Sequence, residues 1–381
     1  MQVKKKSKFV IGSIVAVSVG FGSWSMYASG PAEVVPEEKQ ESVKENEDVA
    51  VEGYDEELPN VEILATGGTI AAVGEERTDL ADYTAGEIEI QDLLEQVPEL
   101  EDIANVTGED ITGVSSNDIN NEILLELAHE VNERLASDDV DGIVITHGTN
   151  TLEETAYFLN LVVDSEKPVV MVGAMRPDTA MSSDGELNLY NAVLLAGHEE
   201  AKDRGVMISQ NDRIGSARDV SKTNTMQIDT FTSTEMGNLG NIIDGEPRFY
   251  TETTRTHTAN SEFDVSDVEE LPEVDIIYTH QSDRSYMFEA AADQGVDGLI
   301  VAGAGNGGMS SNAREGAEYA HDNGVMVVRS SRVGNGIVTP DEDSDFLTSD
   351  TLNPVKARIL LTVALTQTDD PEEIQSYFDE Y

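Results

Sequence analysis

Residues 142–163 read GIVITHGTNTLEETAYFLNLVV. GIVIT is an uninterrupted apolar run that ends on Thr, His and Gly, the form of a strand covered on both faces. TLEETAYFLNLVV repeats its apolar residues at intervals of three and four, which gathers them on one side of a helix. Only the short polar loop HGTN separates the two. A buried strand that passes through such a loop into a one-sided helix is the first half of a βαβ crossover, so a parallel sheet is expected around it.

Working outward, VEILAT at 61–66 has the same strand form, and NNEILLELAHEVNERLA at 120–136 has the same helical spacing. Downstream, PVVMVGAM at 168–175 and GVMISQN at 205–211 enclose the helical pattern GELNLYNAVLLAGHEEA at 185–201. This alternation predicts an α/β layer fold with a mostly parallel sheet over residues 59–249. Residues 250–273, YTETTRTHTANSEFDVSDVEELPE, carry little apolar periodicity and read as an inter-domain connector. A second, smaller α/β domain is expected over 274–381, from strand patterns at 274–280, 298–307 and 325–331 and a helical pattern at 354–368. Ligands of such sheets collect beyond the carboxyl ends of the strands, where the loops gather.

Charge narrows the functional classes. Seventy-five Asp and Glu against 23 Lys and Arg give a formal net charge of -52, a field that repels phosphate backbones and anionic membranes. Nucleic-acid binding is therefore not expected, and the acidic excess suits a solvated, halophilic surface on which salt screens like charges. The start of the chain departs from this trend. Lys4, Lys5, Lys6 and Lys8 precede an uncharged apolar run from Phe9 to Tyr27, so residues 1–30 read as a secretory signal peptide, and the length of the run also permits an uncleaved membrane anchor. A secreted or periplasmic location follows from either reading. Residues 31–58 are acidic and nearly free of aromatics, the composition of a solvated linker. With no Cys, stability rests on the core and on assembly.

The loops at the strand ends hold the chemistry. In ILATGGTIAA, residues 63–72, two glycines stand between threonines, and neither a dinucleotide nor a nucleotide phosphate loop fits the spacing. In HGTNTLEET, Thr151 and Glu154 have the spacing of a capping box, whereas Thr149 and Asn150 lie just upstream and are better placed to meet a ligand. GVSSNDIN at 113–120 offers Ser116 and Asn117, alone a turn and helix cap. RDVSKTNT at 218–225 carries Lys222, and a neutral lysine can relieve a threonine hydroxyl of its proton. The six histidines have no metal-ligand spacing, and no G-x-S-x-G elbow is present. His147 reads as structural, and Arg176 with Asp184 as the tie of a loop. The residues themselves support a hydroxyl- and amide-rich site for a polar small molecule.

Taken together, ATGGTIA, THGTNTLEETAYFL, VVMVGAMRP, DVSKTNT, VRSSRV and TLNPVKAR resemble the bacterial-type L-asparaginase family, most closely its exported branch, over nearly all of residues 58–381. The resemblance implies a larger flavodoxin-like N-terminal domain and hydrolysis of L-asparagine to L-aspartate and ammonia through a threonine acyl-enzyme. It requires neither cofactor nor metal. It matches Thr69 to the nucleophile, Tyr83 in DYTAG to the residue that assists proton transfer, and Thr149 with Lys222 to the second catalytic group. Ser116 and Asn117 match the pair that grips the substrate α-carboxylate. Glu342 and Asp343 are equally eligible for an inter-subunit acid, Gln281 or Ser282 for a nearby polar contact, and the implied assembly is a homotetramer of close dimers. Asn150 departs from the pattern, because the family signature usually has aspartate there. A glutaminase-asparaginase of different amide preference and a non-catalytic amino-acid-binding protein are the competing readings.

Overall fold

The computed structural model describes residues 49–50, 54–78, 80, 84, 88–341 and 344–381. The signal-like start lies outside them, as does most of the acidic linker. In chain order the large sheet begins with β1 (Val49–Ala50), β2 (Asn60–Ala65), β3 (Asn105–Asp110), β4 (Gly142–Thr146), β5 (Val169–Val172), β6 (Val206–Gln210) and β7 (Arg213–Ser216). A separate ribbon follows, β8 (Ser221–Lys222) with β9 (Phe231–Thr232), before β10 (Gly240–Ile243) and β11 (Glu246–Phe249) rejoin the large sheet. Its nine strands lie in the order β1-β3-β2-β4-β5-β6-β7-β10-β11. The pairs among β3, β2, β4, β5 and β6 are parallel, and the strands outside them pair antiparallel.

Numbered among themselves, those five parallel strands run 2-1-3-4-5, the flavodoxin-like order expected from the resemblance. The order reverses between β2 and β4, so the crevice beyond their carboxyl ends is where such a fold presents a ligand site. Both strands enter there for a plain reason. β4 is buried along its whole length and sits mid-sheet, while the last three residues of β2 are buried as it reaches the loop.

Helices cover both faces. α1 (Ile90–Gln96) and α4 (Gly185–Ala196) bury Leu93, Leu94, Leu189 and Val193 against Ile63, Val144 and Val170. α2 (Asn121–Leu135) and α3 (Leu152–Val162) bury Leu127, Val131, Tyr157 and Phe158 on the other side, with Leu64, Ile145 and Met171. The smaller sheet, β12 (Val274–Tyr278), β13 (Gly298–Gly303), β14 (Met326–Ser331) and β15 (Leu347–Thr348), is parallel throughout. α5 (Tyr286–Gln294) and α6 (Ser311–Asp322) cover one of its faces. α7 (Pro354–Ala364) and α8 (Pro371–Glu380) cover the other, and their Leu360, Leu361 and Phe378 share one continuous apolar core with α2 and α3. Helix α3 thus packs between the site loops and the C-terminal domain.

One cation is surrounded by acids in this very acidic chain. Arg134 on α2 pairs with Glu62 at 2.9 Å and Glu130 at 3.3 Å, and also with Glu109. Its loss would leave three carboxylates facing one another. Arg134→Gln is expected to lower unfolding stability by about 1–2 kcal/mol in dilute buffer, and by less in molar salt where the residual repulsion is screened. Urea midpoints at the two salt levels measure the difference.

Candidate active site

Three loops meet at the crevice, and glycine lets them. Gly67 and Gly68 follow β2 with φ of 86° and 90°, a backbone region costly for any residue with a Cβ. A Cβ on Gly68 would also lie 2.3 Å from both N and Cα of Gly148, and one on Gly67 2.8 Å from the carbonyl of Val114. A Cβ on Gly148 would in turn meet Ser116 Oγ at 2.7 Å. The loops after β2, β3 and β4 are therefore stacked backbone to backbone. Thr69 and Thr149 each come one residue after a glycine of the tightest contact, so both hydroxyl residues are delivered to the same place.

The two threonines of ATGGTIA separate at this point. Thr66 Oγ1 donates 2.8 Å to the carbonyl of Thr146, so its hydroxyl joins β2 to β4. Thr69 opens a 3-10 turn, Thr69–Ala71, and is 7% exposed. Ser116 is buried in a second such turn, Ser116–Asp118, and Asn117 is exposed beside it. Capping does not consume these two side chains. Ser115 caps their turn, while Asn120 caps α2 by accepting from Ile123 N at 2.9 Å.

The capping box expected at Thr151 is absent. Thr151 makes no side-chain cap to α3, because its Oγ1 donates 2.6 Å to the carbonyl of Ser116 instead. The hydroxyl links the loop after β4 to the loop after β3, and this tertiary acceptor wins over the local amide. Glu154 is directed to Arg358, 3.9 Å away. Arg176 and Asp184 do tie down their loop. Asp184 accepts from the amides of Met175 and Arg176, and Arg176 donates 2.7 Å to the carbonyl of Ser182.

Lys222 comes to Thr149 from β8. Its Nζ donates 2.9 Å to Thr149 Oγ1 and 2.9 Å to Asn150 Oδ1. Asn150 Nδ2 reaches on to Asn117 Oδ1 at 3.3 Å. Thr149, Asn150, Lys222 and Asn117 therefore form one hydrogen-bonded chain, and Ser116 underlies it through Gly148. Burial lowers the Lys222 pKa from its ordinary 10.5, with Glu153 pulling it back. Burial thus favours the neutral form, and a neutral lysine can take a proton from a hydroxyl.

Tyr83, Glu342 and Asp343 lie outside the described residues. Gln281 and Ser282 are exposed beyond β12 in the smaller domain, with no hydrogen bond to the Thr69–Lys222 group among the described residues. No cluster of three or more His, Asp or Glu that could hold a metal is present among the described residues.

Two family models match the chain, the asparaginase N-terminal domain over residues 60–255, which contains this geometry, and the glutaminase/asparaginase C-terminal domain over 273–378. The chain belongs to the bacterial-type L-asparaginase and glutaminase-asparaginase family. It is similar to L-asparaginase 2 of Bacillus subtilis, 56% identical over 91% of this chain and 92% of that one. A protein of Haemophilus influenzae described as a probable periplasmic L-asparaginase is 46% identical over 85% of this chain and 94% of its own length. The crystal structure of a probable cytoplasmic L-asparaginase from Campylobacter jejuni superposes with a TM-score of 0.83 at 45% identity, covering 85% of this chain and all of that one. As a member of this family the chain is a hydrolase that acts on small amino-acid amides.

Three contributors to this asparaginase-family site were not singled out from sequence. Glu153, one residue inside α3, is 9% exposed, and its carboxylate accepts from Lys222 N at 3.1 Å and Asn353 Nδ2 at 3.0 Å. Asn353 and Lys356 stand in TLNPVKAR, a motif the resemblance supplied without a role. Only the acid on the buried side of the α3 pattern hinted at such a contact.

His147 is fully buried, with Nδ1 2.7 Å from the carbonyl of Gly148 and Nε2 2.8 Å from Thr155 Oγ1. It supports the loop, as the sequence reading expected. Burial holds its pKa down at about 4, against an ordinary 6.5. Below pH 6.5 the unfolded chain protonates this imidazole and the folded chain does not, so folding stability present above 6.5 drains away as pH falls towards 4. The loss from this group approaches about 3 kcal/mol. Urea midpoints between pH 4 and 7 should slope more steeply for the native chain than for His147→Asn, which starts less stable but lacks the titrating ring.

Proposed function

We propose that the chain is an L-asparagine amidohydrolase in which Thr69 forms an aspartyl ester. The observation that carries the reading is the hydrogen bond from Lys222 Nζ to Thr149 Oγ1 beside the loop of Thr69. In the first half-reaction Thr69 Oγ attacks the side-chain amide carbon, Thr149 and Lys222 receive its proton and pass it to the amide nitrogen, and the C–N bond breaks to release ammonia. In the second, water takes the place of the threonine and releases L-aspartate. Tyr83 assists proton transfer at Thr69, and Ser116 and Asn117 hold the α-carboxylate. Secondary glutaminase activity accompanies this chemistry, because one extra methylene in a pocket is commonly worth only about 1–3 kcal/mol.

The direct Lys222 contact also favours a second reading in which Thr149 is the nucleophile. Rapid acid quench of the chain with L-asparagine, followed by peptide mapping, separates the two. An aspartyl adduct of +115 Da is sought on the peptide of Thr69 or on that of Thr149, a mass obtained as about 132 for asparagine less about 17 for ammonia. Ammonia release by Thr69→Ala should fall by about 1,000-fold or more if Thr69 is acylated. Release retained in that variant would overturn the assignment.

The basic segment at Lys4–Lys8 and the apolar run after it support export, cleaved or anchored, and among the described residues no helix is long and apolar enough to cross a membrane. N-terminal sequencing of the mature chain decides between cleavage and anchorage. The assembly implied by the resemblance is a homotetramer, with Glu342 or Asp343 and Gln281 or Ser282 reaching a neighbouring site. The charge of -52 supports a salt requirement; activity and unfolding should both improve as salt rises from dilute to molar, and flat curves would count against it.

Asn150 has a predictable cost. It retains the acceptor for Lys222 Nζ at 2.9 Å, yet brings no negative charge to a substrate ammonium. A charge-assisted contact exceeds a neutral one by about 1–2 kcal/mol, so Asn150→Asp is expected to lower KM for L-asparagine by roughly tenfold. The added carboxylate would also stabilise the Lys222 ammonium, and the acid limb of kcat should move to higher pH. Steady-state kinetics across pH test both effects.

A further inference from the structure

We infer that the first turn of α7, through Glu153, positions Lys222 for proton transfer, so that the C-terminal domain helps set the geometry of the catalytic lysine in the reaction proposed above. Asn353 stands at the start of that turn. Its Oδ1 caps α7 by accepting from Lys356 N at 2.9 Å, while its Nδ2 donates to Glu153 Oε2 at 3.0 Å and Ser221 Oγ at 3.1 Å. One amide side chain thus touches α7, α3 and the residue before Lys222. Pro354 follows at the first helical position, where a missing N–H costs nothing.

Lys356 completes the support. It is fully buried, and its Nζ donates to the carbonyl of Arg218 at 2.8 Å and of Val220 at 2.5 Å, two of the residues that lead into β8. Glu153 Oε2 lies 3.9 Å from the same ammonium. The other Glu153 oxygen accepts the backbone N–H of Lys222 at 3.1 Å. Every residue from Arg218 to Lys222 except Asp219 and the buried side chain of Val220 is thereby held by a polar contact from α3 or α7. Nothing comparable would be needed if β8 were only a surface ribbon, since among the described residues it pairs with β9 alone.

The arrangement also has an electrostatic consequence. The charged groups around this point are Glu153 from α3, Lys356 from α7, and Arg218 and Asp219 from the segment before β8. Glu153 is the one that favours the Lys222 ammonium and opposes the effect of burial. Its carboxylate presents two acceptor oxygens to two donors, Lys222 N and Asn353 Nδ2. A glutamine has one acceptor and one donor group, so it cannot serve both and carries no charge. Glu153 is a positioning residue, since it acts on the reaction through Lys222 and not on the substrate.

The test uses the full chain with Glu153→Gln and Asn353→Asp. The second keeps an oxygen that can cap α7 and turns the donor to Glu153 and Ser221 into a carboxylate oxygen that repels Glu153, so it breaks the same link from the α7 side while Glu153 itself is unchanged. Two readouts are taken: kcat and KM for L-asparagine across pH, and the pH dependence of acetylation of Lys222 by trace acetic anhydride, followed by mass spectrometry. Glu153→Gln should lower kcat by about 10- to 100-fold with KM changed by less than about threefold. Lys222 should become reactive at lower pH in that variant, because the carboxylate that favours its ammonium is gone. Loss of stability with an unchanged Lys222 labelling curve and kcat within about twofold of the native chain would overturn the inference and leave these residues as structural pins. Labelling does not depend on turnover. A native chain that releases no ammonia would therefore count against the proposed function, while the labelling curves would still decide whether Glu153 and Asn353 act on Lys222.

Discussion

The approach of Gly68 to Gly148 is the constraint on which the site depends. Two loops from β2 and β4 meet so closely that a single carbon on Gly68 would enter the backbone of Gly148, and one on Gly148 would strike Ser116. No side chain could hold them at that distance, because any side chain would separate them. The contact is made at the point where the strand order reverses, the one place in the sheet where the loops of neighbouring strands turn towards opposite faces and leave a crevice. Thr69 and Thr149 then need no long-range search. Each is the next residue along a chain already fixed at the contact.

The surrounding hydrogen bonds extend that constraint outward. Thr66 ties β2 to β4, Thr151 ties the loop after β4 to the loop after β3, and His147 fills the space beneath with both ring nitrogens engaged. Thr66 and His147 are buried and Thr151 is partly so, and each polar group would be costly without its partner. Their satisfaction makes the crevice rigid before any substrate arrives, which is the condition under which fixed donors and acceptors can lower a barrier. Helix α3 transmits the same rigidity to the smaller domain, since one of its faces belongs to the continuous core shared with α7.

What could be read from sequence follows from the range of the forces involved. The central strands and the helices α2, α3, α4 and α7 carry their burial as a local pattern, and the structure forms them where that pattern lies, with ends a few residues shorter. β3 was not foreseen, because NVTGED is polar and alternates only weakly with its neighbours in the chain. α5 and α6, rich in alanine and charge, were passed over for a similar reason. At the site, Thr149, Asn150, Lys222, Ser116 and Asn117 are brought together, but periodicity alone could not pair a lysine with a threonine 73 residues away. The resemblance supplied that pairing. Thr151 shows the converse error, a correct local signal overruled by a carbonyl 35 residues distant in sequence. Glu153 and Asn353 are 200 residues apart, and an acid on the buried side of α3 was the one local hint of their contact.

Lys222 and Lys356 show how one physical effect serves two ends. Burial lowers the pKa of both, that of Lys356 to about 8. The difference lies in what their ammonium groups meet. Lys356 donates to two backbone carbonyls, which can only accept, so neither can ever hand its nitrogen a proton. Lys222 donates to a hydroxyl and to an amide oxygen, and the hydroxyl can reverse its role. When Lys222 is neutral, Thr149 can donate to it along the same line without any heavy atom moving. A buried lysine facing carbonyls is a pin, whereas one facing a hydroxyl is a proton acceptor. In a chain so short of cations, the two share Glu153, and that carboxylate favours the ammonium form of both against the effect of burial.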